Sequence, residues 1–84
     1  MTLHETIGLM TSPEYKERFK AEYIQLLIRY RRLDTMINEL DNNTLNFTPT
    51  CPRQVLSKQR VIMRAYLKTL QVRALIEDID LPEV

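Results

Sequence analysis

Phe19, Tyr23, Leu26, Tyr30, Leu33, Ile37 and Leu40 follow one another at alternating steps of four and three residues. An apolar seam kept up over three heptads specifies one long helix, and it also demands a second helix to lie against it. No strand can use that spacing, because a strand turns its side chains over every two residues. The ends of the helix are marked as well. Ser12-Pro13 reads as a start, with Ser as the cap and Pro in the first helical position, where its missing N–H costs nothing. Asp41-Asn42-Asn43-Thr44 reads as a stop, since these side chains compete for backbone hydrogen bonds. The first long helix is expected over residues 13–40.

The facing helix is expected over 52–78, restarted by Pro49 and Pro52 after a connector, 41–51, with two apolar anchors, Leu45 and Phe47. Thr50 or Cys51 would cap it. Its core stripe is Leu56, Met63, Leu67, Leu70 and Ala74, flanked by Gln59, Ile62 and Tyr66. Asp80-Leu81-Pro82 ends it, leaving an acidic tail over 79–84. Residues 1–11 read as a short separate helix, with Thr2 and Glu5 at capping-box spacing and Leu3, Ile7 and Met10 on one face. The expected fold class is all-α: a long antiparallel two-helix hairpin with a short N-terminal helix, forming a single domain over 1–84.

Composition narrows the function classes. A chain of 84 residues with one Gly, four Pro and no Trp has little material for a turn-rich β fold or a deeply enclosed cleft. No apolar run exceeds three residues, as in Leu26-Leu27-Ile28 and Val61-Ile62-Met63, far too short to span a bilayer. The first ten residues have neither a basic start nor an apolar core, so no signal peptide is expected. The lone Cys51 provides no internal disulfide, and no metal-ligand spacing or Gly-rich phosphate loop occurs. His4 is the only histidine and is far in sequence from Cys51. No catalytic residue, metal or cofactor is expected.

One seam is little burial for a two-helix chain, and both helices carry apolar residues away from it. Ile24, Leu27 and Ile28 lie roughly 90–170° around helix 1 from the centre of its seam. Val61, Ala65, Val72 and Ile76 share an off-core face of helix 2. These seven residues form the expected homo-oligomer interface.

The formal net charge of +1 hides an asymmetry. Arg53, Lys58, Arg60, Arg64, Lys68 and Arg73 fall between Pro52 and Ile76 with no acid among them, whereas Glu77, Asp78, Asp80 and Glu83 crowd the last eight residues. That order is the reverse of what the helix dipole favours. Arg53, Arg60, Arg64 and Lys68 fall within about 80° of one another, with Ser57 and Gln71 between them. One reading of the stripe is a solvated face whose bases pair across the hairpin with Glu14, Glu17, Glu22, Asp34 or Glu39. The other is a set of forked donors for an anionic ligand or an acidic protein surface. Duplex DNA is not an expected partner, because its binders carry more net positive charge. A second basic group, Arg29, Arg31 and Arg32, surrounds Tyr30.

The stretch from Ser12 to Tyr23, the connector Phe47-Thr48-Pro49-Thr50-Cys51-Pro52, and the segments Tyr66-Leu67-Lys68-Thr69-Leu70 and Arg73-Ala74 resemble a family of small proteins of tailed phages, with relatives in crAss-like phages. That resemblance implies a protein acting in the cytoplasm of a bacterial host. The architecture is also similar to viral nucleotide sponges that blunt cyclic-oligonucleotide defence (anti-CBASS and anti-Thoeris proteins). From this likeness follows the expectation of a non-catalytic phage protein that sequesters a cyclic-nucleotide immune signal at a basic site between protomers. The expected ligand residues are Arg53, Ser57, Arg60, Arg64 and Lys68, with Tyr15, Thr48 and Thr50 for base or ribose contacts. The alternatives are an interaction protein that inhibits a host defence protein, or a small structural helical protein of the virion.

Overall fold

The computed structural model describes residues 1–83. A 3-10 turn, His4–Thr6, leads into α1, Ile7–Met10; α2, Tyr15–Asp41, and α3, Arg53–Ile76, are the two long helices. Helices α2 and α3 pack against each other as an antiparallel hairpin, and α1 with the preceding turn folds back on α2. The molecule measures 43 × 25 × 19 Å. All described secondary structure is helical.

Both long helices begin later than the sequence implies. Ser12 does not cap α2 directly; its Oγ accepts from the Glu14 N–H at 3.1 Å, so the Ser-Pro pair forms a turn and Glu14 is the extended residue before the helix. Pro52, with ψ of 146°, takes the corresponding place before α3. Its carbonyl accepts from the N–H groups of Val55 and Leu56 at 3.1 and 3.2 Å. The proline ring sets the φ that this position needs, and no side-chain oxygen caps the helix.

Both helices end in a residue of left-handed conformation, Asn43 (φ 58°) and Asp78 (φ 56°). In each, the next residue reaches back to a carbonyl of the last turn: Thr44 N–H to Glu39 O and Ile79 N–H to Ala74 O, at 2.9 and 2.8 Å. This is the Schellman geometry, which satisfies carbonyls the helix end would leave open. At the end of α3 it also turns Ile79 into the core beside Ala74. Asn tolerates the left-handed region, whereas Asp is there at some cost and places a negative charge at the negative helix end. Asp78→Gly is therefore expected to stabilise the fold by about 0.5–1 kcal/mol, read as a higher denaturation midpoint in urea.

The core differs from the seam in one respect that matters. Phe19, Tyr23, Leu67, Leu70 and Ala74 are buried in one cluster, and Ile24 and Ile28 belong to the same cluster. Leu3 and Leu9 from the N-terminal segment, and Leu81 from the tail, pack on it. Thr6 fixes that segment. Its fully buried hydroxyl donates to Leu3 O at 2.6 Å and accepts from Gln25 Nε2 at 2.8 Å. The inward residues are thus Leu3, Thr6 and Leu9, while Ile7 and Met10 are about half exposed. The expected face of Leu3, Ile7 and Met10 assumed a period near 3.6, but the segment opens as a 3-10 turn with three residues per turn. Thr2 and Glu5 do make the reciprocal capping-box bonds, at 3.3 and 3.4 Å.

Towards the connector, Ile37 and Leu56 are buried. Leu45 is half-buried, but Phe47 stays more than half exposed, so only one of the two connector anchors is seated. Leu26, Tyr30, Leu33 and Leu40 are intermediate instead of fully enclosed, because one facing helix shields only part of the seam.

Candidate functional site

The basic stripe of α3 runs along the edge of the hairpin, where its residues meet α2. Arg53 forms a forked pair with Asp41, Nε to Oδ1 at 2.5 Å and Nη2 to Oδ2 at 2.7 Å. Arg60 Nη1 donates to Asp34 Oδ1 at 3.0 Å. These two guanidinium groups close the hairpin, so a ligand at either would have to displace a carboxylate. The sequence placed all four bases in one class because it does not show which of them faces an acid across the seam.

Arg64 is different. Its Nε and Nη2 both donate to the Tyr30 hydroxyl, at 3.0 and 2.9 Å, and its guanidinium stands 5.8 Å from that ring's centre. The partner is neutral and Arg64 makes no ion pair among the described residues, although the Asp34 carboxylate acts on it from further away. The hydroxyl's two bonds hold the guanidinium in its charged form and raise its pKa further. One turn on, the exposed Lys68 has no ion pair or hydrogen bond among the described residues. Ser57 is half-buried on the same edge. The stripe therefore contains two anchored bases followed by two available ones.

Three other expected contacts lie elsewhere. The Tyr15 hydroxyl donates to Glu77 Oε1 at 2.6 Å and accepts from Arg73 Nη2 at 2.8 Å. Arg73 in turn binds Glu77 Oε2 at 3.1 Å and stacks over the Phe19 ring at 4.9 Å. Tyr15 thus ties the start of α2 to the end of α3, and is not brought to the stripe. Thr48 and Thr50 are exposed in the connector.

The seven expected interface residues divide. Ile24 and Ile28 are enclosed by their own chain, at 0% and 8% exposure, and Leu27 packs on the same cluster, so this patch is not open to a second chain. The folded-back N-terminal segment takes the place the sequence left for a partner. Val61, Ala65, Val72 and Ile76 remain open to solvent.

On the other side of the hairpin lies a cleft of about 290 Å³ that no sequence pattern announces. Met10 of α1, Arg18, Gln25 and Arg29 of α2, and Tyr66 of α3 line it together with Glu22. The Tyr66 hydroxyl donates to Glu22. Arg18 is committed to Ser12 O at 2.8 Å and Gln25 to Thr6. A carboxylate on its wall makes this cleft a poorer host for phosphate than the Arg64 edge. Its parts come from three elements far apart in sequence.

The anchoring pairs have a pH signature. The Arg53 guanidinium lowers the Asp41 pKa, and the hydrogen bond from Tyr15, then Arg73, lowers that of Glu77. A carboxylate with a depressed folded pKa stabilises the fold fully above its unfolded pKa, and that contribution is lost as pH falls through the folded value. Acid titration of stability is expected to be shallower in Asp41→Asn than in the native chain, measured by urea midpoints from neutral pH down through the carboxylate range.

Against known proteins, the model of one family, Sequestin, matches residues 13–76, which takes in both long helices and the connector. The chain belongs to the Sequestin family. The matched region includes Arg53, Ser57, Arg60, Arg64 and Lys68 as well as the acids that anchor two of them. No curated protein and no solved structure matches the chain. None of the described helices is long and apolar enough to cross a membrane. Among the described residues there is also no group of three or more His, Cys, Asp or Glu side chains placed to hold a metal ion.

Proposed function

We propose that this Sequestin is a phage protein that binds and sequesters a cyclic-nucleotide immune signal in the host cytoplasm, blunting CBASS- or Thoeris-type defence without catalysis. The family name denotes holding a ligand, and the match spans both helices that carry the basic edge. The observation that carries the ligand class is Arg64 and Lys68, one turn apart and without an ion pair, on an edge that also carries Ser57 two turns before Arg64. Phosphate oxygens suit forked and point-charge donors of this kind. The Ser57 hydroxyl adds a donor further along the edge, where Arg53 and Arg60 are already neutralised by Asp41 and Asp34. The edge is shallow in one chain, so the site is read as lying between protomers.

Calorimetric titration with a panel of cyclic di- and trinucleotides tests this reading. Stoichiometric heat with one of them, and a rise in thermal midpoint that follows ligand concentration, are expected. Absence of heat with every member, together with capture of a host defence protein through the same edge, would replace it with the inhibitor reading. Higher-order assembly without either would favour a structural virion protein.

A further inference from the structure

The solvent side of α3 is covered by nothing within the described chain. Val61, Ala65, Val72 and Ile76 fall within about 60° of one another, opposite the buried Leu56, Leu67, Leu70 and Ala74. Val61, Val72 and Ile76 are 62%, 55% and 79% exposed. We propose that two copies of this chain pair through this face as an antiparallel, two-fold symmetric dimer of α3 helices.

The register of the row supports a second copy of the same chain. Val61 and Ile76 share their midpoint with Ala65 and Val72, between Lys68 and Thr69. A two-fold axis there sets Val61 against the partner's Ile76 and Ala65 against the partner's Val72, a small residue facing a larger one in both layers. Lys68 lies at the margin of the row, where its stem covers apolar surface and its ammonium stays in water.

Charge fixes the direction. Helix α3 carries bases along its whole length, from Arg53 to Arg73, with no acid in its first turn, and the chain's acids follow its end. In an antiparallel pair, the Lys58 end of one copy lies beside the Asp78–Asp80 end of the other. A parallel pair would set Lys58 on Lys58 and Asp80 on Asp80. Lys58 and Asp80 have no side-chain ion pair among the described residues.

Shape agrees with both. The chain exposes 5947 Å², where a compact monomer of its 10.0 kDa exposes about 5,200 Å². Its radius of gyration is 14.9 Å, against about 12 Å for a compact domain of this length. A single layer of two helices leaves one side of α3 bare, and a second copy supplies the missing layer.

The pairing rests on the face and charge of α3 and not on the ligand reading. It deepens that reading, because an antiparallel seam turns the same edge of both helices, each with Arg64 and Lys68, towards one axis. Light scattering of the full chain is expected to give twice the 10.0 kDa monomer mass without nucleotide. Val72→Glu should give a monomer with unchanged helical circular dichroism, since the position is solvent-exposed in the single chain. Lys58→Glu and Asp80→Lys should each weaken the dimer, and the double exchange should restore it. In a Cys51→Ser background, Thr69→Cys beside the axis should cross-link to itself, whereas Val61→Cys should not. A native chain of monomer mass, or cross-linking through Val61→Cys as readily as through Thr69→Cys, would overturn the proposal. Arg64→Ala should stay dimeric while losing nucleotide, so failure of pairing and failure of ligand binding are read separately.

Discussion

Ile24→Ala is expected to lower the unfolding free energy by about 2–5 kcal/mol, measured by urea denaturation. Ile24 has no exposed surface, and it sits in the cluster where α2, α3, the N-terminal segment and the tail converge. Truncation there removes contacts on every side, and the four elements cannot all close in on the gap. Leu70→Ala, at 1% exposure on the facing helix, should fall in the same range. Leu33→Ala should cost less although Leu33 is a seam residue, because water already reaches part of its side chain. An equal loss for Ile24→Ala and Leu33→Ala would show that the N-terminal segment does not seal α2 in solution. Deleting residues 1–11 is a second route to the same cluster, and should expose Ile24 and Ile28 without touching the hairpin seam.

The other large effect falls on ligand binding. Arg64→Ala is expected to weaken nucleotide binding by about 1.5–3 kcal/mol, or roughly ten- to hundredfold, with little change in stability. Arg64 has one intramolecular partner, the Tyr30 hydroxyl, at an exposed edge, so its removal leaves no buried charge unpaired. Arg64→Lys should recover part of the affinity, keeping the charge but losing the planar fork. Arg53→Ala and Arg60→Ala should act mainly on the hairpin, through Asp41 and Asp34, and far less on the ligand. Added salt should weaken binding of the native protein. If the four arginine-to-alanine and lysine-to-alanine variants of the stripe all lost affinity alike, the division into anchored and available bases would be wrong.

How much was legible in the sequence follows from the range over which each feature acts. The helical hairpin was legible because an apolar step of four and three is a local pattern, and Phe19, Leu67, Leu70 and Ala74 meet that pattern in the core. The acid-free run of α3 was legible for the same reason, being a property of consecutive residues. Whether each base was free was not. Arg60 and Arg64 are four residues apart on one face, yet one meets the Asp34 carboxylate and the other the Tyr30 hydroxyl. That difference depends on which residue of α2 stands opposite, and so on the offset between two helices separated by the connector.

The two apolar patches teach the same lesson. By sequence, Ile24, Leu27 and Ile28 look like Val61, Ala65, Val72 and Ile76: apolar residues off a seam. The sequence alone determined that these helices carry more apolar surface than one hairpin seam can bury. Where that surface goes depends on the packing of distant segments, which closes the first patch with Leu3, Thr6 and Leu9 and leaves the second open. The physical reason is that burial is settled by whatever element reaches a surface. Residues 1–11 turn back onto α2 through a 3-10 turn and the Thr6–Gln25 hydrogen bond, and they have no length left to reach the far side of α3.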